Sequence, residues 1–397
     1  MMRRPTRRLA ALLLVSGLFA GCASAKAAPD WRPQQPFSGD GPYVQLPTPN
    51  ASPTPSAPGP SSGPSQPSGS PSSGDGAVVA TKLSAPTALA LLPDGTALVG
   101  ERTTGRIVRV QPQPGQPVKT VRTLSGLDTS GDGGLLDLAL SPTYAEDNLI
   151  YAYVTTPRDN EVVEFRLNGP ITPVLTGIPK GSQGNIGRIL FTANGNLYVG
   201  TGDAGQSRLA GSATSLVGKV LRVNSIGQPA RGNPRTGSPV YTQGHRLVNG
   251  LCLDERTGRV FEVERGLAPG SDEVNALTAG ADFGWPTQSA ASTRPITVLP
   301  RVKSGAGDCA IMGGQLYVTT LDGNALLSAP LTPTGGLGGF TATLDGVYGR
   351  LLTVVAAPDG ALWITTSNKD GHGHPIPDDD RVLRIVPSAS GGAGSVL

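Results

Sequence analysis

The sequence predicts an all-β fold, a six-bladed β-propeller, and three observations carry that prediction. The first is composition. Of 397 residues, 55 are Gly and 37 are Pro, while aromatics make up only 5%. Such a balance suits many short strands and tight turns better than a helical bundle. The second is a recurring phrase from Val78 onward: a glycine turn, a run of alternating apolar residues, then a second short strand. The third is that no stretch combines a helical period with convincing length.

The chain opens with a leader over residues 1–21. Arg3, Arg4, Arg7 and Arg8 form a basic start, and Leu9 to Ala20 is an apolar run too short to span a bilayer comfortably. It ends Ala20-Gly21-Cys22, which resembles a bacterial lipobox, so Cys22 is expected to carry a lipid. That places the protein outside the cytoplasm, anchored to the outer face of the bacterial cell membrane. Residues 22–77 are rich in Pro, Ser and Gly, with no apolar period able to bury a core, and read as a disordered stalk. The propeller is expected over 78–390, with a flexible tail over 391–397.

Charge narrows the partners. The chain holds 32 basic and 29 acidic residues, and loss of the four leader arginines leaves 28 against 29. The mature protein is near neutral, which gives no electrostatic case for nucleic acid. Beyond Cys22 the remaining cysteines are Cys252 and Cys309. An exported setting permits a disulfide between them, and two buried thiols are the alternative; spacing does not decide.

The phrase can be followed blade by blade. Pro93-Asp94-Gly95 leads into Leu98-Val99-Gly100, and Asn148-Leu149-Ile150-Tyr151 carries the same alternation. Ala193-Asn194-Gly195 leads into Leu197-Tyr198-Val199, and Thr257-Gly258 into Val260-Phe261-Glu262-Val263. Gly313-Gly314 leads into Leu316-Tyr317-Val318, and Pro358-Asp359-Gly360 into Leu362-Trp363-Ile364. Six such modules fall within residues 78–387, spaced near the roughly 40–50 residues of a propeller blade. Closing them in a ring hides the sheet edges.

Several segments carry a closer likeness. They are Gly134 to Pro142 followed by Asn148 to Tyr151, Leu197-Tyr198-Val199-Gly200-Thr201-Gly202-Asp203-Ala204-Gly205, and Gly244-His245-Arg246. Two more are Gly266 to Asn275 and Phe283-Gly284-Trp285-Pro286. In that order they resemble the glucose/sorbosone dehydrogenases, the soluble aldose sugar dehydrogenases that depend on pyrroloquinoline quinone (PQQ). Gly131-Asp132-Gly133-Gly134 and Gly177-Ile178-Pro179-Lys180-Gly181 are similar to the actinobacterial lipoproteins of the LppZ type within that family. The resemblance implies PQQ and calcium at the mouth of the ring. It also implies oxidation of an aldose by hydride transfer to the quinone, with a histidine taking the hydroxyl proton.

Carried over residue by residue, the resemblance leaves a damaged site. The position implied for the catalytic histidine is Gly184, four residues before Arg188. Asp203 stands where the family orients that histidine. Arg246 and Arg350 match cofactor-binding arginines, but Leu247 replaces an expected Asn and Leu352 an expected second Arg. The backbone carbonyls of Gly266 and Leu267, with Asp272 and Glu273, match the calcium region. Each has a plainer alternative: Asp203 as a turn stabiliser, the arginines as structural ion pairs, Asp272 and Glu273 as loop organisers. Asp203 and Glu264 are the nearby candidates for a substitute base. Asp370-Gly371-His372-Gly373-His374-Pro375, with Asp378-Asp379-Asp380, fits either a metal site or a solvated loop. A metal-dependent hydrolase is set aside for want of a carboxylate cluster. The sequence therefore points to a monomeric envelope propeller that binds a sugar, glycan or protein partner with weak or no aldose oxidation; an active quinoprotein dehydrogenase is the alternative.

Overall fold

The computed structural model describes residues 76–387. The leader, Cys22, nearly all of the stalk and the tail lie outside the described residues. Six four-stranded antiparallel sheets follow one another along the chain. Their innermost strands are Pro86–Leu91, Leu135–Leu140, Gly187–Phe191, Val248–Asp254, Ala306–Met312 and Leu351–Ala356, for blades one to six. Each innermost strand packs on the next, and the sixth returns to the first, so the sheets close into a ring. Among the described residues, helix is confined to the four-residue turns Tyr144–Asp147 and Ser207–Ala210 and one 3-10 turn.

The third blade shows how local sequence builds a blade. Leu190 lies opposite Tyr198 and Ile189 opposite Val199 across a tight turn. The Thr192 amide donates to the Asn196 carbonyl at 3.0 Å, and Gly195 takes the positive φ (78°) that the turn needs. The alternation sends residues to both faces of each sheet, and both faces are covered by neighbouring blades. The core is accordingly divided into six apolar layers, one between each pair of successive blades.

Ring closure uses the start of the described chain. Val78–Ala80 forms the outermost strand of blade six and pairs with Val382–Ile385, Val78 opposite Leu383. Val78 packs between blades five and six, while Val79 packs between blades six and one. Cys252 of blade four and Cys309 of blade five form a disulfide, with Cα atoms 5.6 Å apart. It joins the innermost strands of consecutive blades.

One side chain ties the ring together on its axis. Arg188, on the innermost strand of blade three, donates to the carbonyls of Asn249 (2.5 Å) and Thr87 (3.0 Å) and lies 3.6 Å from the Asp137 carboxylate. Its remaining nitrogen reaches Thr353 Oγ1 at 3.5 Å. Asp308 of blade five faces the same guanidinium. Every blade therefore contributes one residue to this axial tier. Burial pushes Asp137 up to about 6 and Asp308 up to about 7, with Arg188 opposing both shifts.

Candidate functional site

In each blade, the start of the first strand and the end of the second lie at the same end of the ring. The loops there form the mouth, and they bring together most of the residues that the sequence singled out. Gly184 and Arg246 precede the inner strands of blades three and four, and Arg350 precedes that of blade six. Asp203 follows the second strand of blade three, and Gly266 follows that of blade four.

At the implied base position the backbone is fixed by an acid. The Gly184 amide donates to Asp132 Oδ2 at 2.5 Å, and Asn185 donates to Asp132 Oδ1 through its backbone (3.2 Å) and side chain (2.7 Å). Gly184 has φ 73°. A Cβ there would stand 3.1 Å from Asp203 Oδ1 and from the Ala204 amide nitrogen. Asp203 itself is already used on both oxygens. Oδ1 accepts from the Gly205 amide (2.9 Å), and Oδ2 accepts from Trp285 Nε1 (2.9 Å). It thus acts as a turn stabiliser and an anchor for the indole.

The arginines are likewise engaged. Arg246 donates to the carbonyls of Arg265 (3.0 Å) and Gly266 (2.7 Å), and lies 5.7 Å from the centre of the Trp285 ring. Arg350 is buried and donates to Asp370 (2.8 Å) and Asp322 (2.8 Å). Asp322 also accepts from Arg265 at 2.8 Å. Burial raises the Asp322 pKa, but the bond from Arg350 and the charges of both arginines outweigh it, and the net shift is downward. Asp272 is buried and accepts from the amides of Gly266 (2.9 Å) and Gly305 (2.6 Å). It organises the loop, while Leu267 beside it is 70% exposed. Leu247 forms an isolated bridge with Gly202, so its backbone fastens the loop carrying Asp203. Leu352 does not join the ion pairs: its carbonyl accepts from Thr319 Oγ1 at 2.5 Å.

His372 and His374 are exposed on the blade-six loop that carries Asp370. They do not gather with carboxylates. A different cluster does form, one that sequence reading missed. Beneath the mouth, buried His245 sets Nδ1 3.1 Å from Glu264 and 3.4 Å from Glu262. Its Nε2 pairs with Thr242 Oγ1 at 2.8 Å. Burial lowers the His245 pKa, but the two carboxylates more than reverse this and hold it up at about 9. Burial raises Glu262, and it raises neighbouring Glu273 to about 7. The available signal was Phe261-Glu262-Val263-Glu264: alternation puts two acids on one face of a strand whose other side chains are core. Asp132 and Trp285 stood inside quoted motifs, yet nothing local marked their partners. Asp322 had no signal at all, and Asp370 stood in the segment weighed as a metal site, with nothing to mark Arg350 as its partner.

A cleft of about 170 Å³ runs between Arg246, Gly266, Glu264, Glu273 and Trp285. A larger cavity, about 410 Å³, instead lies along the later halves of the inner strands, beyond the axial tier and away from these residues. The polar groups of the mouth make the smaller cleft the better candidate, since size alone selects no chemistry.

A closed ring of six four-stranded blades, with a charged mouth built from loops before the inner strands, defines the class of sugar dehydrogenase-like propellers. The chain belongs to the glucose/sorbosone dehydrogenase family, whose profile matches residues 83–301. It is 39% identical to the PQQ-bound aldose sugar dehydrogenase of Streptomyces coelicolor, with a TM-score of 0.73 over 77% of this chain and 95% of that one. It is 30% identical over 254 residues to quinoprotein glucose dehydrogenase B of Acinetobacter calcoaceticus, covering 53% of this chain and 52% of the relative. To the aldose sugar dehydrogenase of Escherichia coli it is 28% identical over 230 residues, covering 53% and 61%. The chain spans about half the length of the curated relatives it matches.

Proposed function

We propose that this propeller binds a sugar or envelope glycan at its mouth without oxidising it by the base-assisted route of the aldose dehydrogenases. The observation that carries the reading is Gly184. A residue without a side chain holds the position implied for the proton acceptor, and its amide is bound by Asp132. An aldose hydroxyl is a poor hydride donor until its proton begins to leave, so loss of a positioned base costs roughly 10²–10⁴ in rate.

The groups implied for PQQ and calcium already have protein partners in this structure. The Gly266 carbonyl, implied for calcium, already accepts from Arg246. Arg350, implied for a cofactor carboxylate, is satisfied by two protein carboxylates. Binding the quinone would require breaking charge-assisted bonds that are already made. What remains suits a neutral polyol: an indole face for stacking, and carboxylates and carbonyls at the rim to take hydroxyl hydrogens. Cys22, expected to be lipidated, would hold this mouth at the cell surface, and a Cys22→Ala variant should leave the membrane fraction.

The second reading is an active quinoprotein dehydrogenase with a substitute base. The 39% identity to a PQQ-bound enzyme favours it. One experiment separates the two. Purified protein is incubated with PQQ and calcium, and absorbance, aldose turnover with an artificial electron acceptor, and tryptophan fluorescence are followed. The expected result is a sugar-dependent change in fluorescence from Trp285 with no turnover. Robust turnover by the native chain would overturn the binding reading in favour of the second.

A further inference from the structure

The buried cluster under the mouth has a chemistry of its own. His245 and Glu262 are wholly inaccessible, and Glu264 is 6% exposed. Three carboxylates, Glu262, Glu264 and Glu273, surround one imidazole. The ligand atoms of His245, Glu262 and Glu264 all lie within 4.8 Å of one another. Two acceptors on the cluster's residues lack partners among the described residues: Glu262 Oε2 and, on neighbouring Asn275, Oδ1 are buried and accept no hydrogen bond. Buried acceptors left in this way are costly, and a divalent ion would satisfy them in place of the proton that His245 shares with the two carboxylates.

We infer that His245 Nδ1 and the carboxylates of Glu262 and Glu264 form a site for one divalent transition-metal ion of the zinc type. Ligands about 2.0–2.1 Å from a tetrahedral ion stand roughly 3.4 Å apart. The separations from Nδ1 to the two carboxylates, 3.1 and 3.4 Å, are close to that spacing, and with all three ligand atoms within 4.8 Å of one another small side-chain movements would close the site on an ion. One imidazole nitrogen with two carboxylate oxygens is a borderline donor set that suits zinc better than calcium, which takes six to eight oxygens.

The outer partners are also in place. Neutral His245, with Nδ1 on the metal, would donate its Nε2 hydrogen to Thr242 Oγ1, 2.8 Å away, which fixes the tautomer and the ring. Asn275 Nδ2 donates to Glu262 Oε1 (2.7 Å) and, more weakly, to Glu273 (3.4 Å). The Arg246 amide donates to Glu264 Oε1 at 2.5 Å, leaving Oε2 for the ion. Three protein ligands leave a fourth position for water. Glu264 and Glu273 both line the cleft of the mouth, which gives the ion a way in. The site uses neither Gly266 nor Leu267 and is separate from the implied calcium position.

The test uses the mature chain, purified without a histidine tag and stripped with a chelator. It is titrated with zinc by calorimetry, and with cobalt(II) as a spectroscopic substitute. One equivalent of zinc should bind, and cobalt should give the intense visible bands of a four- or five-coordinate site. Glu262→Gln should weaken zinc by more than about tenfold. The double variant His372→Ala, His374→Ala should bind as the parent does. The cobalt spectrum of the parent needs no variant, so it stands even if Glu262→Gln misfolds. No stoichiometric zinc, a cobalt spectrum of the hexa-aqua ion, unchanged affinity in a folded Glu262→Gln, or loss of binding in the histidine-loop variant would each overturn the assignment.

Discussion

Gly184 is the residue on which the functional reading turns. Its identity was legible in the sequence as an absence, because the family likeness on either side leaves a single position for the base. Its cause was not legible. The positive φ and the clasp by Asp132, which comes from the loop before blade three's neighbour, are properties of two loops meeting. They also make the position hard to repair. A side chain in left-handed backbone costs about 1–2 kcal/mol, and the Cβ would press on Asp203 Oδ1 and the Ala204 amide nitrogen at 3.1 Å. Gly184→His should therefore lower stability by at least that amount and restore little activity. A combined Gly184→His, Leu247→Asn, Leu352→Arg variant should turn over aldoses faster than the single one. Melting curves and turnover with PQQ and calcium check both, and a Gly184→His protein as stable as its parent would show that the loop relaxes. The roles of Asp203, Arg246 and Arg350 were left open by sequence for the same reason: a turn, an ion pair and a ligand contact use identical residue types. Only the partners, Trp285, Gly266, Asp322 and Asp370, distinguish them.

At the level of strands, glycine turns and alternation were enough to find the blades, since both are local. Leu197-Tyr198-Val199 after Asn194-Gly195 specifies a hairpin with no help from the rest of the chain. The closing strand was not legible as such. Val78-Val79-Ala80 is a short apolar run whose partner, Val382–Ile385, lies roughly three hundred residues later. Its contribution can be measured. Both valines are 3% exposed, and burying each is worth about 1.5–3 kcal/mol. A chain starting at Thr81 should melt on the order of 10 °C below one starting at Gly76. Equal melting temperatures would mean that blade six holds together with three strands.

For the molecule as a whole, the axial tier joins all six blades through one arginine between two buried acids. Sequence reading placed Arg188 on its strand but could not foresee convergence from six separate segments. The electrostatics give a pH dependence with a definite sign. Asp308 is raised from 3.8 to about 7, chiefly by burial. A group raised on folding favours the native state fully below its ordinary pKa, and that contribution is lost as pH climbs through the raised value. Its share of stability should therefore fall between about pH 4 and 7. The drop in melting temperature from pH 5 to pH 8 should be smaller in Asp308→Asn than in the parent, whatever the variant's absolute stability. Identical drops would exclude Asp308 as the source. The closing strand sets a further condition, on timing. Blade six receives its outermost strand from the first described residues and its other three from the last. While the chain is being made or exported, five blades can pair internally, but the sixth waits for the final segment. Until then the Val78–Ala80 strand has no partner, and the open ring presents the apolar sheet faces that blade six later covers, surfaces of the kind that recruit a neighbouring chain. The interval between the arrival of Val78 and that of Leu383 is thus the period in which this protein is most exposed to aggregation, and in which a chaperone would have most to protect.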